Sequence, residues 1–268
     1  MNAALLIVAT LVSVGTIAPA AELRKETVQA FEEYVRKTEA RLDARVASGD
    51  FLWVDDSAQT LKDVRAGQVA IHPRLEGGAM DVPHGLIHDW IGAVFIPGTK
   101  LDRVLASVQD YDRNKYTHKP EVIDSKLLAR DGNDFRIFLK LRKKKVITVV
   151  LNTEHRVHYA PVDKTRWQSR SYSTRIAEVD NAGEPDEREL PPGDDHGFLW
   201  RLYSYWRFEE RDGGVFVECE ALSLTRDVPT GLGWVVTPVI RNLPRESLES
   251  TLRAARTAVL GQDGGGRR

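Results

Sequence analysis

Glu154, Arg156, His158 and Tyr159 bring an acid, a cation, a base and a phenol together within six residues. On a strand, a carboxylate or imidazole in such a group supplies general acid–base chemistry once burial moves its pKa toward neutrality. His84 and His88 are four apart, so a strand puts both on one face, as two ligands of a zinc site require. Asp89, the nearest carboxylate, alternates to the opposite face, so the pair lacks a third ligand and reads as structural or solvent-facing. His155 and His158 differ in parity. Cys219 is the only cysteine. It forms no intrachain disulfide and reads as a small buried hydrophobe.

The sequence contains no G-x-S-x-G elbow, no H-E-x-x-H, no C-x-x-C and no P-loop, and Gly231-x-Gly233 lacks the third glycine of a dinucleotide fingerprint. No catalytic residue, cofactor or metal is therefore assigned. Lys plus Arg (38) nearly equal Asp plus Glu (39), which leaves no basic field to hold a phosphate backbone. Nucleic acid is not an expected partner. With 268 residues, 42% of them hydrophobic, the chain holds one sizeable core.

Residues 1–20 read as an export signal. An apolar run from Ala3 to Ile17 precedes Ala18-Pro19-Ala20, a small-x-small cleavage pattern, and charged sequence starts at Glu22. The alternative is an uncleaved anchor, although the run is short of a full span. The expected destination is periplasmic or secreted.

From Glu22 to Ser48 the stripe Val28, Phe31, Val35, Thr38, Leu42 and Val46 predicts an amphipathic helix ended by Gly49. Strands are expected at 51–54, 64–75, 86–96, 121–128, 135–141, 146–159, 167–179, 198–209 and 215–225. Thr99 and Asp102 resemble a capping box opening a short helix that runs to about Gln109. A last helix is expected from Pro244 to Leu260, with Leu248, Leu252, Ala255 and Val259 on one stripe, followed by a disordered tail over 261–268. The acidic stretch 184–195 reads as a solvated loop or a docking segment.

Two hairpins position the interior. Asp212-Gly213 is a strong turn signal that pairs Arg207 with Glu218, Tyr205 with Glu220 and Trp206 with Cys219. One face then carries Arg201, Tyr203, Tyr205, Arg207, Glu218 and Glu220, a charge ladder suited to water. The other carries Phe198, Trp200, Leu202, Ser204, Trp206, Phe208, Val217, Cys219, Ala221 and Ser223, large at its ends and small in its middle. Those small residues either leave space for a ligand or receive a bulky helix side chain. A turn at Lys143-Lys144 puts Phe135, Ile137, Leu139, Leu141, Val146, Thr148, Val150 and Asn152 inside. Beyond Asn152, either a bulge intervenes or Glu154, Arg156 and His158 form a polar end to the interior.

This order of elements, over about Pro83 to Val259, resembles the START-like, polyketide-cyclase-like (SRPBCC) helix-grip superfamily. The likeness is sharpest in GLIHDWIGAVFIPGTKLDRVLASVQDYDR, WRLYSYWRFEERDGGVFVECEALSLTRDVPTGLGW and PRESLESTLRAARTAV. It implies an α+β domain over 22–260: a curved antiparallel sheet wrapped around a long C-terminal helix, with an apolar ligand between them. Many members carry lipids, sterols or polyketides, and some are cyclases or hydrolases.

On that reading the expected ligand-binding residues are Leu139, Val150, Asn152, Leu202, Ser204, Trp206, Cys219, Ala221, Ser223, Trp234, Leu248 and Leu252. The apolar stretch 227–244 would cross the tunnel mouth as a loop, with Leu232, Trp234 and Val235 touching membrane as a gate opens, or with Trp234 capping the core. Three functions follow: a noncatalytic carrier of a hydrophobic small molecule, a cyclase or hydrolase using the same cavity, or an interaction module with a filled core.

Overall fold

A computed structural model describes residues 22–144, 148–227 and 233–261, with side chains in the last segment from Asn242 onward. Helix α1 (Lys25–Ser48) buries Phe31, Val35, Thr38 and Leu42 from the expected stripe, and Gly49 ends it at φ 88°. That left-handed value suits a residue without Cβ. Next come α2 (Ala58–Arg65), β1 (Ala70–Pro73), β2 (Ala79–Val82), β3 (Gly85–Pro97), α3 (Leu101–Val108), α4 (Asn114–Thr117) and β4 (Val122–Asp131). Then follow β5 (Asp134–Lys144), β6 (Thr148–Pro161), β7 (Arg166–Asp180), β8 (Arg188–Glu189), β9 (Arg201–Arg211), β10 (Gly214–Arg226) and α5 (Gly233–Gly261).

One antiparallel sheet runs in the order β1-β3-β10-β9-β7-β6-β5-β4, with β2 also on β3 and β8 on β7. The sheet curves, and α5 lies within the curve, against β3, β10, β1 and the short helices α3 and α4. Packing there joins Trp90, Val94, Val104, Phe208, Val217, Leu248 and Leu252. The convex side is covered by α1, whose Phe31 and Leu42 pack with Ile87, Leu222 and Leu224.

The β9–β10 register matches the expectation residue for residue, including Arg207 with Glu218 and Trp206 with Cys219. The environment of its charged face does not. Instead of facing water, Arg207, Glu218, Glu220 and Tyr205 are buried, Glu220 and Tyr205 against α1 and Arg207 and Glu218 against Phe51 and Trp53 just after it. Arg41 of α1 pairs with Glu220, Tyr34 donates to Asp89 Oδ2 at 2.7 Å, and the Tyr172 and Tyr205 hydroxyls both donate to Glu39 Oε1. A charged strand face thus becomes interior because the helix facing it supplies polar partners of its own. Trp200 also belongs to this side, packed with the α1 cluster rather than inside the curve. Regular alternation starts only with β9 at Arg201.

The second hairpin is corrected in register. Lys144 pairs with Thr148, Leu139 with Thr153 and Phe135 with Val157, so the connection lies over 145–147, outside the described residues, and not at Lys143-Lys144. The change relative to the expected pairing is odd in number, and an odd change reverses faces. Val150 and Asn152 are therefore on the convex face, where Asn152 Nδ2 donates to Glu189 Oε1 at 2.8 Å. Thr153, His155, Val157 and Tyr159 take the concave one. On the other side, β7 bulges at Thr174 opposite Glu154 and His155, which sets Ser173 across from His155.

Other boundaries shift for local reasons. Residues 64–75 are not one strand: Ser57 Oγ accepts from Thr60 N and caps α2, which ends before Gly67 at φ 94°. Residues 53–56 form a 3-10 turn in which Trp53 N donates to Glu218 Oε2 at 2.7 Å. Thr99 does not cap α3; Glu210 on β9 accepts from Leu101 N at 2.9 Å instead. Helix α5 starts at Gly233, not Pro244, so 233–244 is helical and not a loop. Pro238 and Pro244 cost hydrogen bonds but hold a φ compatible with a helix. Within the acidic stretch, β8 pairs with the C-terminal end of β7, and Glu189 pairs with Arg175. The leader, Leu232 and residues 262–268 lie outside the described residues, as does the Trp234 side chain.

Candidate functional site

Strand parity and register place a continuous row of small hydroxylated residues on the concave face. Trp167, Ser169, Ser171 and Ser173 alternate along β7; Ser169 is opposite Trp206 and Tyr159, Ser171 is opposite Ser204 and Val157, and Ser173 is opposite His155. Across β9, Ser204 faces Ala221 and Leu202 faces Ser223 on β10. Large side chains close the row at one end, where Phe135, Val157, Tyr159, Trp167, Trp206 and Phe208 meet. Leu139, Trp167, Leu202, Ser204, Trp206 and Ala221 are only partly buried although they face inward. Among the described residues helix α5 packs chiefly on the β1–β3–β10 side, which leaves the concave face of β9, β7, β6 and β5 beside it as the candidate chamber.

Of the expected ligand-binding residues, Leu139, Leu202, Ser204, Trp206, Ala221 and Ser223 line this chamber. Cys219, Leu248 and Leu252 are packed in the core between β10, β3 and α5. Burial pushes the Cys219 thiol well up, with Glu220 and Glu218 adding to the shift, so it stays protonated and unreactive. Val150 and Asn152 are on the far side of the sheet. Three of the four residues with acid–base potential also point away: Glu154, Arg156 and His158 occupy the convex face, where His158 Nδ1 lies 2.8 Å from Asp134 Oδ1. Tyr159 points inward.

Composition alone does not single out Thr153, His155, Ser169, Ser171 and Ser173. The readable signal is the alternation in WQSRSYS, Trp167 to Ser173, which puts small hydroxyls on one face and Arg170 and Tyr172 on the other.

The chamber is uncharged by construction. The inward positions from Phe135 to Leu141, Thr153 to Tyr159, Trp167 to Ser173, Leu202 to Phe208 and Val215 to Thr225 hold no Asp, Glu, Lys or Arg. His155 is 4% exposed, and burial lowers it to about 4, so it is neutral at physiological pH. Its Nε2 lies 3.1 Å from Thr153 Oγ1, which donates to the Leu139 carbonyl at 3.0 Å. Ser173 Oγ accepts from Leu202 N at 3.0 Å, and Ser204 Oγ accepts from Trp206 Nε1 at 3.2 Å. At the closed end, the Tyr111 and Tyr159 hydroxyls are 2.8 Å apart, and burial raises Tyr159 to about 12. Both stay protonated.

His84 sits in a turn at φ 56°, outside the strand that carries His88. Among the described residues no group of three His, Cys, Asp or Glu side chains is placed to hold a metal ion. This arrangement suits hydrogen bonding to a neutral, largely apolar molecule.

No family model and no curated protein matches the chain. Solved structures do. TTHA0849 from Thermus thermophilus is similar at 18% identity with a TM-score of 0.47, over 64% of this chain and 97% of that one. A STAR-related lipid transfer protein from Xanthomonas axonopodis is similar at 16% identity and 0.46, over 71% and 98%. The Zhui aromatase/cyclase from Streptomyces sp. R1128 is similar at 13% and 0.43, over 68% and 96%. In its own topology, a curved antiparallel sheet with a long C-terminal helix in the curve and an N-terminal helix outside, the chain has the START-like helix-grip fold.

Proposed function

We propose that this protein binds and carries a hydrophobic small molecule of lipid, isoprenoid or polycyclic type, held between the sheet and α5. The observation that carries the reading is the uncharged, small-centred concave face of β5, β6, β7, β9 and β10, which α5 leaves partly uncovered. A filled core would place bulky aliphatic residues there, because voids cost stability. Serines and alanine at those positions fit a site whose occupant is not part of the chain. The cyclase or hydrolase reading loses three of its four candidate groups, Glu154, Arg156 and His158, to the opposite face.

Operation in the cell envelope belongs to the same proposal and rests on the leader sequence alone. Delivery to a membrane through Leu232, Trp234 and Val235 likewise rests on their apolar sequence. The test is to purify the protein natively from its own envelope, extract it with chloroform and methanol, and analyse the extract by mass spectrometry. A stoichiometric apolar compound, absent from an Ala221→Trp control, is the expected result. Folded protein that yields no such compound and binds no hydrophobic probe would overturn the carrier reading.

A further inference from the structure

The hydrogen-bond chain at His155 defines which of its nitrogens is available. A threonine hydroxyl has one hydrogen, and Thr153 gives it to the Leu139 carbonyl at 3.0 Å. Thr153 Oγ1 can then act only as an acceptor toward His155, so Nε2 carries the imidazole proton and Nδ1 carries a lone pair. That Nδ1 is buried and has no hydrogen-bond partner among the described residues. A buried acceptor left unmatched costs stability, and on this concave face a donor from a bound molecule would offset that cost.

Ser173 is its direct cross-strand neighbour on β7. Its oxygen already accepts from Leu202 N, which leaves the serine hydrogen to donate. One acceptor and one donor therefore stand side by side on an uncharged surface. A hydroxyl group is the small function that satisfies both at once, since it donates one hydrogen and accepts through its oxygen. A carboxylate or phosphate would meet the Nδ1 lone pair with no cation at the surrounding inward strand positions.

We propose that His155 and Ser173 form the polar recognition point of the chamber, and that it takes a neutral apolar molecule bearing an alcohol or phenol. The ligand O–H donates to His155 Nδ1, and Ser173 Oγ–H donates to the ligand oxygen. This assignment rests on the carrier reading and narrows its ligand class.

Equilibrium dialysis with three probes of one shape tests it: 2-naphthol, 2-methoxynaphthalene and 2-naphthoate. The wild-type protein should bind 2-naphthol about fivefold to tenfold tighter than the methyl ether, the range of one neutral hydrogen bond, and the carboxylate most weakly. His155→Phe should bind both neutral probes with that preference gone. Equal wild-type binding of 2-naphthol and its methyl ether would overturn the recognition point while leaving the carrier reading intact. Binding of neither would overturn both. Should His155→Phe not fold, nitrogen-15 spectra of the wild-type imidazole decide: the unprotonated nitrogen must be Nδ1, and its resonance must move with 2-naphthol and not with the ether. A protonated Nδ1, or no movement, rejects the proposal.

Discussion

Arg207 and Glu218 stand directly across from each other on β9 and β10, with Nη1 and Oε1 3.0 Å apart and both side chains buried, the guanidinium over the Phe51 ring and the carboxylate on Trp53 N. Burial raises the Glu218 carboxyl to about 7, against the pull of Arg207 and of the Trp53 amide. At pH 8 the pair is ionised. Removing one partner of such a pair strands the other charge, which costs about 3–5 kcal/mol, whereas replacing both with apolar residues of similar volume is often neutral or better. Arg207→Ala is thus expected to lose several kcal/mol in urea unfolding at pH 8, and Arg207→Met with Glu218→Leu to regain most of it. A single variant as stable as wild type would show that the pair is not sealed.

Asp89 predicts a pH dependence of defined sign. Its folded pKa is raised, first by burial and then by the charge of Glu220, against opposing effects of Tyr34, Arg41 and Arg74. Between the unfolded value and this raised one, the folded state binds more protons than the unfolded state. Stability from this group is therefore complete below the unfolded pKa and is lost as pH rises through the folded one. Wild type should lose more stability between pH 5 and pH 9 than Asp89→Asn, an isostere that cannot ionise. Parallel pH profiles of the two urea midpoints would refute this.

On the concave face, Ala221 stands opposite Ser204 and is partly open. Ala221→Trp should fill the chamber and abolish binding of a hydrophobic fluorescent probe, at a cost of about 1–3 kcal/mol for overpacking. Unchanged probe affinity in a folded variant would place the ligand elsewhere.

Glu154 and His158 face away from the chamber, so Glu154→Gln and His158→Ala should leave probe affinity within about twofold of wild type. A large loss in either variant would show that the convex face takes part in binding.

What could be read in advance tracks how local the determinant is. Asp212-Gly213 specifies its turn within two residues, and the β9–β10 pairing follows at every position. The β5–β6 connection has lysines and no glycine or asparagine to fix a turn type, so the register depends on which faces the rest of the sheet buries. The resulting slippage moved Val150 and Asn152 out of the chamber and brought in Thr153 and His155. The charged face of β9 and β10 shows a similar limit. Its alternation reads as solvent-facing because nothing near Arg207 in sequence tells of Glu39 and Arg41, and only packing brings them together. Gly233 and Pro238 look like loop punctuation, yet they belong to α5. The serines of β7 were legible as alternation, but their meaning required the neighbouring strand.

The cover over the convex face also sets an order of events. Tyr205 reaches Glu39 across 166 residues, and Arg41 reaches Glu220 across 179. Helix α1 meets Ile87 and Asp89 of β3 early in the chain, but its polar partners on β9 and β10 lie far downstream. Closing such distant contacts slows folding relative to a protein of local contacts. Until β10 is in place, the apolar stripe of α1 lacks the Leu222 and Leu224 half of its packing surface, so complete docking of the cover is a late step of folding.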